Sequence, residues 1–171
     1  MPRVTAEVFF ELFHQYGLIL ICAVIFCEYM NLPGFPAGVI MPSIGVLIAQ
    51  SRLSLPLTVV LSVVFGVLGS LVIYGICYWG GEPIMERLFG RSEKFRAFVR
   101  RSREYIDAQH GRGLALCRLI PVLRTIVSIP AGLIRMPVRW FIGWSALGIA
   151  GWNTALISFG YFFSEKILSA L

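Results

Sequence analysis

The chain has 171 residues, 57% of them hydrophobic and 14% charged, with a net charge of +6 and a mean hydropathy of +0.79. A soluble domain of this size carries about 25% charged residues, so a soluble fold is excluded and a single integral membrane domain is indicated. The basic residues border hydrophobic spans and accompany no zinc, helix-turn-helix or RNA-binding motif, which argues against nucleic acid as a partner.

Residues 1–16 place Phe9, Leu12, Phe13 and Tyr16 on one helical face, with Glu7, Glu11 and His14 mostly elsewhere. That pattern predicts a short amphipathic leading helix lying in the membrane interface. Its mixed charges give no cleavable signal, so the later apolar segments are expected to direct insertion.

From residue 12 to residue 51 the only formal charge is Glu28. The middle of this run holds Asn31, Pro33, Gly34, Pro36 and Gly38, and Pro42 and Gly45 follow. Proline removes amide donors and glycine weakens a helix, so the run is predicted to break. Broken backbone at membrane depth is tolerated only where protein or a wet cavity covers it. The expected result is a re-entrant hairpin beginning near Glu28.

Residues 53–81 contain no charge and are long enough to cross a bilayer with some tilt. Gly66, Gly69, Gly75 and Gly80 suggest close helix packing there. Residues 82–112 hold eight basic and five acidic residues, a local net charge of +3, with apolar residues recurring at helical spacing. This segment reads as an amphipathic cytoplasmic surface element.

Residues 113–134 are apolar apart from Arg118 and Arg124, and are interrupted by Pro121, Pro130 and Gly132. A second re-entrant hairpin is predicted, this time from the cytoplasmic side, with Arg135 and Arg139 as its anchor. Residues 140–164 are uncharged and form the next crossing, with Trp140, Tyr161 and Phe163 suited to the interfacial belt. The four cysteines, Cys22, Cys27, Cys77 and Cys117, all lie in apolar segments without C-x-x-C spacing and read as core fillers.

The halves echo one another. Pro36-Ala37-Gly38 before Pro42 resembles Pro130-Ala131-Gly132 before Pro137, and Gly66-x-x-Gly69 resembles Gly148-x-x-Gly151. The fold class is therefore an all-α membrane protein. It is an inverted repeat of two re-entrant broken-helix hairpins, each followed by a transmembrane helix, with amphipathic interfacial helices added. Its parts are residues 1–16, a first repeat over 17–81, a basic segment over 82–112 and a second repeat over 113–164.

Glu28, Arg118 and Arg124 are the charges to explain. A guanidinium at the centre of a bilayer costs roughly 3 kcal/mol on insertion scales. One arginine can pair with Glu28; the other then lacks a counter-ion within the hydrophobic stretches. An anionic ligand removes that difficulty, because guanidinium groups bind phosphate through paired planar hydrogen bonds. An anion that partitions into the bilayer is most simply the headgroup of a phospholipid or lipid phosphate. A break at Pro121 could turn both guanidinium groups into one cavity. The competing reading is that each arginine ties its hairpin together through backbone carbonyls. Asn153 reads as helix glue.

These residues resemble the DedA family, also called the VTT or SNARE-associated membrane proteins. The resemblance runs from about residue 17 to residue 163. It includes Glu28 with Pro33 and Pro36, Gly45, Gly69, Tyr74, His110-Gly111, Arg118-x-x-Pro121-x-x-Arg124, Ala131-Gly132, Phe141, Trp152 and Gly160-Tyr161. It implies movement of lipids between leaflets of a bacterial-type cytoplasmic membrane by a multi-pass protein, with Glu28, Arg118 and Arg124 at the substrate and Pro33, Pro36, Pro121, Pro130 and Gly132 shaping the pocket. Family members include undecaprenyl-phosphate recyclers, phosphatidylethanolamine transporters and eukaryotic scramblases. Two departures bear on mechanism: many members carry an acid shortly after the hairpin proline and a Gly-Asp pair where this chain has Gly69-Ser70. The missing acids favour a phospholipid flippase or scramblase over a proton-coupled undecaprenyl-phosphate carrier, which is the alternative; a non-transporting scaffold is the second. No G-x-S-x-G or H-E-x-x-H occurs, so no enzyme, cofactor or metal is expected. Proton coupling and homo-oligomerisation are both compatible with the sequence.

Overall fold

An apolar run free of proline makes the first helix, α1 (Gly17–Tyr29). The computed structural model describes residues 17–30, 37–51, 53–89, 112–120 and 123–164, with isolated helical positions between 93 and 104. The expected leading helix over 1–16, Pro33, Pro36, Pro121 and both histidines lie outside the described residues, as does most of the stretch 90–111. Of the basic segment, Glu93, Arg100, Arg101 and Glu104 are helical and exposed.

After the first proline-rich stretch the chain resumes as α2 (Ala37–Ala49), which carries Pro42 inside it. The long α3 (Leu55–Phe89) follows, and it leaves helical geometry at Gly81, where φ is 55° and ψ −158°. That conformation lies in a backbone region open to glycine alone. The second half is more broken: α4 (Arg112–Arg118), α5 (Leu123–Ile126) and α6 (Ser128–Leu133) precede the 25-residue α7 (Val138–Phe162).

The turn between α6 and α7 has a local cause. Arg135 takes a left-handed φ of 52°, and the amides of Arg135 and Met136 donate to the carbonyls of Gly132 and Ala131 at 3.0 and 3.1 Å. This is a Schellman closure of α6, with arginine where glycine is usual. Tyr74 of α3 donates to the Met136 carbonyl at 2.5 Å and holds the turn against the long helix.

Among the described residues one helix, Leu55–Gly81, is long and apolar enough by length and composition to cross a bilayer. Its 27 residues span about 40 Å. The other long helix, α7, spans about 37 Å but carries Ser145, Asn153, Thr154 and four glycines, which lower its hydropathy.

The exterior of the long helices is apolar where that of a soluble protein would be polar. Leu57, Val60, Val64, Leu68 and Ile76 form an exposed stripe along α3, and Leu147 and Phe159 are exposed on α7. The interior holds a hydrophobic core that includes Ile21, Ile25, Met41, Ile44, Phe141, Ile149 and Ile157, and within it lie Glu28, Arg118, Arg124, Asn153 and five buried Ser or Thr side chains among the described residues. An apolar surface, with the few charged groups withdrawn to the interior, is the arrangement that a hydrocarbon solvent selects.

Glycines decide where the helices meet. A Cβ on Gly69 would lie 2.5 Å from the Phe26 carbonyl oxygen and 3.0 Å from Tyr29 Cβ, so α1 packs backbone-close on α3. A Cβ on Gly148 would lie 2.7 Å from Arg118 Cβ and 2.9 Å from the Ala115 carbonyl oxygen, so α4 packs the same way on α7. The returning helices cross over. Gly45 of α2 abuts the backbone of Ile157 and Gly160 in α7, and a Cβ on Gly132 of α6 would lie 2.6 Å from the Tyr74 carbonyl oxygen in α3.

This packing corrects one equivalence drawn from sequence. Gly38, in the first Pro-Ala-Gly, has open space around it, whereas Gly132, in the second, is pressed on α3. The packing counterpart of Gly132 is Gly45. A Pro-Ala-Gly triplet marks where a helix starts or breaks, and it does not specify which later residue meets a neighbouring helix. Gly66 and Gly69 serve the expected close packing, but Gly75 meets only Trp79 of its own helix.

Candidate functional site

The charges of the two halves meet in the interior. Helix α1 ends in Glu28 and Tyr29; α4 ends in Arg118; α5 carries Arg124 in its short run. Helix α4 stops because Leu119 and Ile120 close tight turns onto Leu116 and Cys117, with N···O distances of 3.1 and 3.2 Å. The chain regains helix at Leu123, and this break turns Arg124 towards the group that Arg118 occupies. Both guanidinium-bearing residues are only 1% exposed, and Glu28 is 3% exposed.

Arg124 is the paired arginine. Its Nη2 donates to Glu28 Oε1, and its Nη1 donates to the Tyr29 hydroxyl at 3.3 Å. Two aromatic faces flank the guanidinium carbon, Tyr29 at 5.3 Å and Trp152 at 5.2 Å. The network continues through Tyr29, which donates to Asn153 Oδ1 at 2.8 Å, and Asn153 Nδ2 donates to Ser62 Oγ at 3.1 Å. Helices α1, α5, α7 and α3 are thus joined by one chain of hydrogen bonds.

Arg118 has different company. Its Nη1 donates to Ser70 Oγ at 3.1 Å and to the Arg124 carbonyl at 3.4 Å, and its Nη2 donates to Ser128 Oγ at 3.2 Å. The Phe141 ring lies 5.6 Å from its guanidinium carbon. No carboxylate contacts Arg118 among the described residues, so with all three ionised the group of Glu28, Arg118 and Arg124 sums to one net positive charge. The expected carbonyl tie is present, at Arg124, but it leaves the charge in place.

Several buried polar atoms lack a hydrogen-bond partner among the described residues: Arg118 Nε, Arg124 Nε, Trp152 Nε1 and Glu28 Oε2 are four of them. Each such group costs about 1–3 kcal/mol when it is left unmade. No cluster of His, Cys, Asp or Glu able to hold a metal occurs among the described residues.

Of the other residues singled out by sequence, Pro130 and Gly132 are buried in α6, which positions Ser128 against Arg118. Pro33, Pro36 and Pro121 lie outside the described residues. Sequence reasoning overlooked Tyr29, Ser62 and Ser128, and marked Ser70 only as a departure from the Gly-Asp of many family members. Asn153 does join helices, yet it also anchors the tyrosine that holds Arg124.

A family model described as the VTT domain matches residues 16–162. A protein named undecaprenyl phosphate transporter A from Staphylococcus aureus is 28% identical over 164 residues, covering 94% of this chain and 80% of the relative. An alkaline phosphatase-like protein from Lactococcus lactis subsp. cremoris is 26% identical over 159 residues, covering 90% and 74%. Protein DedA from Escherichia coli K12 is 26% identical over 163 residues, covering 90% and 73%. No solved structure matches the chain. With a match over nearly its whole length and an apolar exterior around buried arginines, this chain belongs to the VTT-domain (DedA) family of membrane proteins.

Proposed function

We propose that this protein moves a lipid carrying an anionic phosphate between the leaflets of a bacterial cytoplasmic membrane, without chemical change to the lipid. The observation that carries the reading is Arg118: buried, oriented by neutral groups and facing no carboxylate among the described residues. An isolated charge in a low-dielectric interior is strongly unfavourable, and a visiting anion relieves it. Glu28, Arg118 and Arg124 form the binding group. Arg124 is the fixed member, and Arg118 is the one that meets the ligand.

The charge of the site also bears on which lipid. A zwitterionic headgroup such as phosphatidylethanolamine brings no net charge and leaves the group at +1. A singly ionised phosphate monoester brings it to neutrality. The sequence favours a phospholipid; the fixed Glu28–Arg124 pair shifts preference to a polyprenyl phosphate, in keeping with the name of the Staphylococcus aureus relative.

The reciprocal packing supports a two-fold related pair of hairpins. Each approach helix lies on the crossing of its own half, α1 on α3 and α4 on α7. Each returning helix lies on the crossing of the other half, α2 on α7 and α6 on α3. In this reading the protein is multi-pass, and the two hairpins enter from opposite leaflets. Leu119 and Ile120, exposed and next in the chain to Arg118, mark the side from which a headgroup would approach.

Reconstitution into liposomes with fluorescent polyprenyl phosphate and fluorescent phosphatidylethanolamine tests the reading. The wild type is expected to move the polyprenyl phosphate faster. Arg118→Gln should lose about tenfold or more of that rate, and Arg124→Lys should be impaired although it inserts normally. Unchanged movement in Arg118→Gln would support a scaffold instead. Release of inorganic phosphate from the lipid would establish an enzyme.

A further inference from the structure

Helix α7 carries two tryptophans, Trp144 and Trp152, whose indole nitrogens are buried and find no hydrogen-bond acceptor among the described residues. An indole N–H can only donate, so each is a donor without a destination. Buried indoles usually find a partner, because an unmade bond in a dry interior is costly.

The two rings keep different company. Trp144 packs on the apolar cluster of Tyr74, Leu114, Met136 and Phe141, and its ring stacks on Trp140 at 6.5 Å. Trp152 lies against a charge, its ring 5.2 Å from the Arg124 guanidinium carbon. The Trp152 ring is half-buried but its nitrogen is buried, so the N–H edge is the inward one. Arg124 gives its terminal nitrogens to Glu28 and Tyr29, and its Nε is unpartnered too. A third unpartnered donor, Arg118 Nε, belongs to the residue whose Nη1 reaches the Arg124 carbonyl. Glu28 Oε2 is an acceptor, yet it bonds to none of these three donors. The group is rich in donors and short of acceptors.

We propose that the Trp152 indole N–H is a ligand-binding group of this site, donating to an outer oxygen of the phosphate that Arg118 receives. The inference rests on the lipid-phosphate reading above and adds a neutral donor from α7 to the charged groups of α1, α4 and α5. A phosphate monoester presents three outer oxygens; a guanidinium edge takes two of them, which leaves one for another donor. An indole supplies that donor without adding positive charge to the group, and its apolar body suits the boundary between the interior and hydrocarbon.

Trp152→Phe keeps an aromatic face on Arg124 and removes only the N–H. Trp144→Phe removes the same atom from a ring in the apolar cluster. Wild type, both variants and Arg118→Gln are purified in micelles and titrated with polyprenyl phosphate. Trp152→Phe is expected to bind about tenfold more weakly, the loss of one hydrogen bond to a charged acceptor, with its ligand-free unfolding temperature unchanged. Trp144→Phe is expected to bind as wild type does.

Nitrogen-15 labelling of the indoles reads the bond itself. The chain has four tryptophans, Trp79, Trp140, Trp144 and Trp152. The Trp152 N–H signal is expected to move downfield when polyprenyl phosphate is added, a response that a packing role would not produce. Trp79→Phe, Trp140→Phe and Trp144→Phe assign the other three signals, so the measurement stands even if Trp152→Phe does not fold. An unmoved Trp152 signal, with wild type binding the lipid and Arg118→Gln failing to, overturns the inference and leaves the lipid-phosphate reading standing. Equal weakening by Trp144→Phe and Trp152→Phe also overturns it, since the two then share a packing role. Arg118→Gln binding as tightly as wild type overturns the reading beneath it.

Discussion

Arg124 and Arg118 are equally buried and six residues apart, yet the protein treats them as opposites. Arg124 meets a carboxylate, a phenol and two aromatic faces, all supplied by the fold. Arg118 meets two hydroxyls, a carbonyl and one ring. The first environment answers a positive charge internally; the second orients a charge and leaves it to be answered. A hydrophobic exterior makes the difference consequential, because bulk water cannot reach either group to screen it. The lesson is that an intramembrane arginine is not by itself a ligand site. Its partners decide.

The comparison can be broken from the Arg124 side first. Glu28→Ala leaves Arg124 unpaired and raises the buried group to two net positive charges, and a loss of about 3–5 kcal/mol of stability is expected in detergent unfolding experiments. Tyr29→Phe is next. It removes the hydroxyl that accepts from Arg124 and donates to Asn153, leaving Asn153 Oδ1 without that donor, for an expected loss of about 1–3 kcal/mol by the same measurement. The smallest effect belongs to the other arginine. Arg118→Met exchanges an uncompensated charge for an apolar side chain of similar length, and ligand-free stability should stay within about 1 kcal/mol of wild type. A large loss there would mean that the fold itself depends on Arg118, which would erase the contrast.

Much of this site was legible in the sequence because charge in an apolar run is costly and has few explanations. Glu28, Arg118 and Arg124 stood out on that ground, and the structure brings all three together. The identity of the paired arginine was not legible. It depends on how α4 stops and α5 begins, a matter of two tight turns. The contacts of the serines with Arg118 were hidden for a chemical reason: a helical serine most often bonds back to its own helix, as Ser43 does to the Val39 carbonyl at 2.7 Å. Ser70 and Ser128 differ only in what the opposing helix offers them. Ser70 stands at one of the positions where the family resemblance leads one to expect an acid, and its hydroxyl accepts from Arg118.

Helix existence followed the apolar runs closely, while helix contacts did not follow the repeated triplet. Gly45 meets α7 and Gly132 meets α3, and neither contact is encoded by Pro-Ala-Gly. Such contacts depend on two segments at once, and periodicity describes only one.

The central claim is that Arg118 waits for an anion. Thermal unfolding of purified wild type and Arg118→Met, each with and without a polyprenyl phosphate in the micelle, tests it most directly. At lipid concentrations about a hundredfold above the dissociation constant, wild type should gain about 2.7 kcal/mol of stability. Arg118→Met should gain little or nothing from the same lipid. Equal stabilisation of both proteins would contradict the account.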